Sequence, residues 1–495
     1  MSSQKVIHQA GWYAAAYTAT QFVTMTAAVL TRRFLGPVQV GVWALVQILL
    51  SYASYSTLGL ANALPREIPF RLGKGETETA ARIKQTAFEF VMLMAFLLAL
   101  GISLYAFINR ARISHELFWG LLFASALVIL QQLNNCMITL LRCFMNFGLA
   151  SKQMFLSAIM NALLIAFLSY RFCLYGFMWA MCLSFIFNVG YIFYHEKVLF
   201  RFPIRIKLDL SLIRDLMGYG FPLMLLALGE TFLYTFDRIV ISRYRGLELL
   251  GIYSIATMVN GFIYSFPNSV GVVLLPKVAE KFGRTENRHD LKGYLEESNY
   301  IFCVLMPLLI GMAWFLLPPF IHWVLPKFAN GIVAMKWLVL CSFFTAIAQA
   351  YSNFIVVIRK QMFLFPATFL TMALSAGANL WAVHTAGGIT SVAQIQILVF
   401  AFNFTLLFFL SNFFLGFSAA AVRQYLMVFV KFLWLLCLLF ILSKYVRLSQ
   451  PLGQGLLRTL ILIVAYAPFL IQIEKKYNLI RLFLNRLKTT DSPHE

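Results

Sequence analysis

Long apolar stretches, separated by short polar connections, make up most of the chain. Fourteen of them reach the ~20 residues that a helix needs to cross the hydrocarbon core of a bilayer. None alternates like a strand, and backbone groups in lipid must be hydrogen-bonded within their own segment. The pattern therefore predicts an all-α polytopic membrane protein with about fourteen transmembrane helices. The predicted segments are residues 12–34, 38–62, 86–108, 117–141, 152–171, 175–194, 216–242, 247–275, 298–320, 332–358, 362–382, 390–413, 425–445 and 453–473.

Two parts of the chain repeat each other. The phrase RFLGPVQVGVW at 33–43 recurs as RYRGLELLGIY at 243–253, and both glycines of the first copy align with glycines of the second. Six predicted helices separate the copies, so the second copy has the same orientation as the first. Two such halves are typical of parallel-repeat transporters, whose pathway lies between the halves. We predict six-helix lobes over 1–200 and 201–420, and two appended helices with a cytoplasmic interfacial tail over 421–495.

The composition agrees with a membrane protein and explains the net charge. Charged residues make up 12% of the chain, against about 25% in soluble domains. With the N-terminus inside, 27 of the 40 Lys and Arg residues fall on the inner side. This is the positive-inside rule, so the net charge of +21 indicates topology and not a nucleic-acid partner. Both termini are predicted to be cytoplasmic, and membrane lipids are expected partners.

Three inner connections are basic and partly amphipathic, which predicts helices on the membrane surface. They span 65–84, 199–212 and 276–297. The tail over 474–488 has apolar residues at helical spacing between basic ones, and we predict an interfacial helix there.

Three ionisable residues lie within the seventh segment: Glu230, Asp237 and Arg238. Each costs about 3 kcal/mol at the bilayer centre and therefore needs a reason. The two carboxylates are seven residues apart and share a helix face. One interpretation is a water-filled cavity in which a carboxylate couples transport to H⁺ or Na⁺. The alternative is a clamp between helices, with Asp237 paired to a basic residue elsewhere.

Arginines occupy equivalent places near the outer helix ends of the two copies. Arg32 and Arg33 lie at the end of the first segment, and Arg243 and Arg245 directly follow the seventh. The guanidinium fork suits phosphate oxygens, so these arginines, together with Arg238, are candidate ligands of a diphosphate. The alternative is that they only snorkel to the interface.

Polar stripes mark two other segments. Tyr17 and Gln21 share a face of the first segment, and Gln131, Asn135 and Arg142 share a face of the fourth. Asn260 adds an amide in the eighth segment. Such groups hold membrane helices together, or they line a cavity and bind sugar hydroxyls. We include all six as candidate substrate-binding residues.

Catalytic and cofactor motifs are absent from the sequence. It has no GxxxxGK[ST] phosphate loop, HExxH or GxSxG motif. The seven cysteines lack paired spacing and the seven histidines are scattered, so neither a disulfide framework nor a metal site is predicted. We expect no enzymatic activity, no catalytic residue and no cofactor beyond a coupling H⁺ or Na⁺.

Several motifs together resemble those of one family. They are LGP-x5-W at 35–43, LRCF at 141–144, Gly-x-Pro at 220–222, Asp237-Arg238, Gly-Ile-Tyr at 251–253 and Leu-Pro-Lys at 275–277. In these the chain resembles the bacterial polysaccharide (O-antigen-type, Wzx-like) flippases of the multidrug/oligosaccharidyl-lipid/polysaccharide exporter superfamily. The resemblance implies a V of two six-helix lobes with two further helices, and alternating access. It implies a lipid-linked oligosaccharide on undecaprenyl diphosphate as substrate, in the bacterial inner membrane. A polysaccharide polymerase and a chain-length regulator are the implied partners.

Three alternatives remain open at this point. A MATE-type drug/cation antiporter would require an acidic cavity, whereas the helices hold few acids, among them Glu89, Glu230 and Asp237, with arginines nearby. A lipid II flippase fits the same patterns. A membrane enzyme of the same pathway would require a sizeable outer loop, and the predicted outer loops are short.

Overall fold

The computed structural model describes residues 20–144, 146–197, 209–447 and 449–477, and within them the chain is helical, without strands. Helix α1 covers residues 20–34. The others are α2 (Pro37–Ala53), α3 (Leu60–Gly73), α4 (Thr77–Ile108), α5 (His115–Cys143), α6 (Phe147–His195), α7 (Leu210–Tyr244), α8 (Gly246–Thr285), α9 (Lys292–Val324), α10 (Ile332–Val357), α11 (Leu364–Val383), α12 (Ile389–Leu415), α13 (Ala419–Tyr445) and α14 (Pro451–Tyr477). Short 3-10 turns lie at Ser54–Thr57, Arg288–Leu291, Pro326–Gly331 and Gln361–Phe363.

The helices account for the predicted membrane crossings. Twelve stretches in the described residues are long and apolar enough to span a bilayer. One of them, Gly148–His195 in α6, has 48 residues and would measure about 70 Å if straight, over twice the hydrocarbon thickness. Cys173 breaks it with φ 48° and ψ −127°, so α6 contains two crossings. With α1 added, the helices match the fourteen predicted segments.

Side-chain caps fix where several helices begin. Ser114, Asn146, Asp209 and Ser418 each accept a hydrogen bond from the backbone N–H three residues later. These bonds satisfy donors that the first turn of a helix leaves open. The pKa of Asp209 is lowered, first by its hydrogen bond from Ser211 and then by that from the Leu212 N–H. The cap is therefore ionised at neutral pH.

The chain divides into two compact units. The first takes the residues up to Met258 together with Gln361–Val399, and the second takes Val259–Lys360 and the residues from Phe400 onward. Helices α8 and α12 therefore each begin in the first unit and end in the second. The predicted lobes 1–200 and 201–420 and the appended part 421–495 were defined by the sequence repeat, whereas these units are defined by compactness. The predicted lobes therefore stay a prediction.

Each unit has its own apolar core. In the first unit, Leu60, Leu140 and Leu216 belong to one buried cluster of α3, α4, α5, α6 and α7. A second cluster joins α2, α4, α5 and α6. In the second unit, 83% of the residues in the most apolar 18-residue window of Pro326–Val357 are buried, which makes α10 the central helix. Phe344 of α10 packs with Phe432 of α13 at a ring-centroid distance of 4.6 Å.

The inner connections differ from the prediction. A separate surface helix over 276–297 is wrong, because α8 continues without a break to Thr285 and α9 begins at Lys292. Helix α3 occupies the first part of 65–84, and α4 begins at Thr77. The predicted helix over 199–212 and the interfacial tail fall largely outside the described residues.

The orientation can be checked at the break in α6. Cys173 is exposed and lies between two crossings on the predicted outer side. We expect a membrane-impermeant maleimide to label it from outside the cell, and Cys173→Ser to remove the label. Cys437 is also exposed but lies within the apolar span of α13, out of reach of a reagent confined to water. Labelling that requires the membrane to be opened would indicate the opposite orientation.

Candidate functional site

The two copies of the repeated phrase meet in the structure. A Cβ added at Gly41 of α2 would lie 1.8 Å from the carbonyl oxygen of Leu247 in α8. A Cβ added at Gly251 would lie 1.8 Å from the carbonyl oxygen of Pro37. Pro37 and Leu247 are themselves equivalent in the repeat, so the contact has the same residues on both sides. Only glycine permits this approach of two helix backbones.

Arg32 reinforces the same region. Its Nε donates to Ser254 Oγ at 3.2 Å and its Nη2 donates to the Ser254 carbonyl oxygen at 3.0 Å. Its Nη1 donates to the carbonyl oxygen of Ala28 within α1 at 3.0 Å. Arg32 therefore links α1 to α8, and these bonds occupy all three guanidinium nitrogens.

Helix α2 and the 3-10 turn after it, Ser54–Thr57, continue the contact along α7. Tyr52 shares a hydrogen bond with Thr235 at 2.9 Å, and Tyr55 donates to the carbonyl oxygen of Ala227 at 2.8 Å. Beyond the end of α2, the backbones of Gly59 and Gly220 touch, since a Cβ on Gly220 would meet the Gly59 carbonyl oxygen at 2.0 Å. The seam between the two repeat copies is thus closely packed over the length of α2.

The carboxylate of Asp237 in α7 accepts several hydrogen bonds. It is 4% exposed, accepts from the Tyr253 hydroxyl at 2.7 Å and accepts from the Arg238 N–H at 2.8 Å. The side chain of Gln396 in α12 also hydrogen-bonds to it, while Gln396 Oε1 is buried without a hydrogen-bond partner. A carboxylate and an amide oxygen without a hydrogen-bond partner thus lie close together. Such oxygen ligands suit a small cation.

Glu230 and Arg238 have different surroundings from Asp237. Glu230 is exposed and interacts electrostatically with Tyr55. Arg238 donates to the Tyr234 carbonyl oxygen one turn earlier at 2.6 Å, and its Nε is buried without a hydrogen-bond partner. The structure therefore gives the two predicted coupling carboxylates separate environments.

A polar cavity of about 250 Å³ lies among α1, α5 and both halves of α6. Among the described residues, its lining contains amides, hydroxyls and one cationic side chain, Arg142, and no acidic residue. The polar members are Thr20, Thr24, Asn134, Arg142, Gln153, Ser157, Asn161, Ser184 and Asn188. Such a surface suits a ligand rich in neutral hydrogen-bonding groups.

The predicted polar stripes meet this cavity only in part. Arg142 lines it, whereas Gln21, Gln131 and Asn135 are not among its lining residues. Asn135 is exposed and the other two are half-buried. Tyr17 lies outside the described residues.

The outer arginines and Asn260 have other surroundings. Arg33 and Arg243 are exposed, and the Arg243 guanidinium lies 5.8 Å from the Tyr244 ring centroid. Arg245 donates to the carbonyl oxygens of Val383 and Thr385. Asn260 accepts from Ser342 Oγ at 2.7 Å, which joins α8 to α10 within the second unit.

Several cavity residues were not predicted. Gln153, Ser157 and Asn161 recur every four residues in the first half of α6, and Ser184 and Asn188 do so in the second half. Residues at this spacing share a helix face, so the periodicity that marked the fourth segment was present here too.

Comparison with known sequences identifies a family. Residues 6–282, more than half of the chain, match the profile of a family described as polysaccharide biosynthesis protein. None of the curated proteins matches the sequence significantly.

Solved structures share the fold. An inward-facing multidrug resistance MATE family transporter of the MOP superfamily has a TM-score of 0.67 at 15% identity, over 84% of this chain and 96% of that one. The lipid II flippase MurJ, in an inward closed conformation, has a TM-score of 0.65 at 16% identity, over 94% and 99%. A variant of the Vibrio cholerae MATE transporter VcmN has 0.62 at 13% identity, over 85% and 99%. The predicted relation to a polysaccharide family and the polytopic all-α fold are confirmed.

Proposed function

Because the chain belongs to the polysaccharide biosynthesis protein family, we propose that it is a flippase that moves an undecaprenyl-diphosphate-linked oligosaccharide across the inner membrane. The substrate, a repeat unit of O-antigen or a similar surface polysaccharide, passes from the cytoplasmic to the periplasmic leaflet by alternating access. The protein is not an enzyme. The translocated glycolipid is then used on the periplasmic side by a polysaccharide polymerase that acts with a chain-length regulator. Both termini of the flippase lie in the cytoplasm.

The chemistry of the cavity supports a sugar substrate over a cationic drug. The lining residues include no acid and one arginine, whereas a cation taken from water needs an opposite charge nearby. Amides and hydroxyls bind sugar hydroxyls without desolvating a charge. This observation carries the choice of a glycolipid flippase over a drug antiporter. Lipid II transport, the activity named for MurJ, is the runner-up.

We further propose that Asp237 couples transport to H⁺ or Na⁺. Its carboxylate lies beside the open oxygen of Gln396 and holds Tyr253 of α8. A cation bound to the Asp237 carboxylate would compete with these hydrogen bonds. Because the bond to Tyr253 joins α7 to α8, cation binding would change how these two helices pack. Glu230, which is exposed, is the second candidate coupling residue.

The arginines are proposed to act in two ways, and substitutions separate them. Arg33→Ala with Arg243→Ala removes the guanidinium groups of two exposed residues. We expect transport to fall about tenfold or more while the protein still reaches the membrane, because each charged phosphate hydrogen bond contributes roughly 1.5–3 kcal/mol. Arg32→Ala instead removes the link to Ser254 and should lower the melting temperature. Full transport by the Arg33/Arg243 double variant would exclude a role for that pair in binding the diphosphate.

Complementation tests the proposed function. The gene is expressed in a strain that lacks its own repeat-unit flippase, and surface polysaccharide is measured by gel and by antibody. Restored polysaccharide is the expected result, with a matched strain that lacks its lipid II flippase as the control for the alternative. Rescue of the second strain alone would refute the oligosaccharide assignment.

A further inference from the structure

The polar cavity contains three amide oxygens that lack hydrogen-bond partners. The Oδ1 atoms of Asn134, Asn161 and Asn188 are each buried without one, and all three residues line the same cavity. Asn134 and Asn188 are each 6% exposed. Buried polar atoms are normally satisfied, and leaving one open costs free energy. Three open acceptors around one space therefore indicate a ligand that supplies donors.

The lining residues restrict which donor this can be. A metal ion or an ammonium group would lose its hydration inside the bundle and would face Arg142 with no carboxylate in the lining. Hydroxyl and amide N–H groups are neutral donors and carry no such cost. The volume, about 250 Å³, is smaller than the ~300–1,000 Å³ of drug-sized sites, and it suits a single sugar ring.

The position of the cavity fits entry from the cytoplasmic side. Arg142 lies one residue before the end of α5, at the end that the positive-inside rule assigns to the cytoplasm. The lining residues of α6 come from Ala150–Ser157 and Asn161 in its first half and from Met181–Asn188 in its second, away from the break at Cys173. The cavity thus lies in the half of the first unit that faces the leaflet from which a glycolipid would come.

We propose that this cavity is a sugar subsite, in which Asn134, Asn161 and Asn188 accept hydrogen bonds from the hydroxyl or acetamido groups of one sugar ring. The proposal rests on the proposed function and deepens it. The subsite distinguishes a glycosylated carrier lipid from a bare one before translocation.

Native mass spectrometry of the full-length protein in detergent tests the subsite. The probes are undecaprenyl diphosphate alone and the same lipid linked to glucose, galactose or N-acetylglucosamine, added in pairwise competition. We expect the wild-type protein to prefer at least one glycolipid to the bare carrier by about tenfold. In Asn134→Leu with Asn188→Leu this preference should fall to about onefold, with binding of the bare carrier retained.

Control variants separate sugar binding from folding. Asn412→Leu removes a buried amide of the second unit, one that donates to the Phe408 carbonyl oxygen, and should leave the preference unchanged. If the leucine variant does not fold, Asn134→Ser with Asn188→Ser removes the same amides with less added volume. Melting temperatures are recorded in Na⁺ and in K⁺ for every variant.

The outcomes are distinct. No binding of any undecaprenyl lipid by the wild-type protein would refute the proposed function itself. Equal binding of bare and glycosylated carriers would refute the subsite alone. A preference that survives in the leucine and serine variants would mean that the cavity holds only water. Stabilisation of the wild-type protein by Na⁺, lost in the variants, would make it an ion site and overturn the proposal.

Discussion

Replacing Gly41 or Gly251 with alanine should disrupt the packing of α2 against α8 and abolish surface polysaccharide. Each new Cβ would lie 1.8 Å from a backbone carbonyl oxygen, so the helices must separate. Overpacking of this kind costs roughly 1–3 kcal/mol of stability. We expect a value near the upper end of this range, because the clashing atoms belong to helix backbones and cannot rotate away. The apparent melting temperature in detergent should fall by a few degrees in both variants.

Gly36→Ala is the matched control. Gly36 lies in the same repeated phrase, its Cβ would meet nothing within 4 Å, and its φ of −79° suits any residue. We expect a change within about 0.5 kcal/mol. Because Gly41 and Gly251 serve one interface, the double variant should lose less than the sum of the single losses. Wild-type stability of either single variant would contradict the described contact.

Asp237→Asn should reduce transport to the background rate while the protein stays folded. An amide of the same shape still accepts from the Tyr253 hydroxyl, whose oxygen lies 2.7 Å from the carboxylate, but it carries no charge. The Nδ2 of asparagine replaces one carboxylate oxygen that accepts a hydrogen bond, so the melting temperature should fall by a few degrees. The measurement is transport across a pH series and in Na⁺ or K⁺.

Two control variants show whether the loss of transport in Asp237→Asn comes from the carboxylate itself. Tyr253→Phe removes the hydrogen bond and leaves the carboxylate, so transport should persist in part. Glu89→Gln replaces a carboxylate that accepts from Gln85 in α4 and should leave the ion dependence unchanged. If Asp237→Asn retains the wild-type rate and the wild-type ion dependence, Asp237 is a clamp between helices and not the coupling residue.

The sequence predicts the membrane helices well because hydropathy and length alone decide what crosses a bilayer. The span of 48 residues in α6 is predicted as two crossings because it is too long for one and has a short connection at 171–174, which begins with Arg171. The end of α8 was not predicted, since the basic residues after 276 resemble a surface segment although the helix continues through them to Thr285.

The site was less predictable because helix faces depend on neighbours. The repeat aligned Gly41 with Gly251. Nothing in the sequence indicated that each glycine would pack against the other copy of the repeated segment. The stripe on the fourth segment was placed at Gln131 and Asn135, whereas Asn134 is the amide that lines the cavity. Which of two adjacent polar residues faces inward is decided by how α5 packs against α6.

Glycolipid movement by the protein alone can be measured after reconstitution. The purified protein is placed in liposomes with a defined undecaprenyl-diphosphate-linked oligosaccharide, and the glycolipid that becomes inaccessible to external periodate is measured over time, with and without an ion gradient. We predict movement of the glycolipid that requires the protein, rises with the gradient and is lost in Asp237→Asn, while ethidium is not transported. Movement of ethidium without movement of the glycolipid would contradict it.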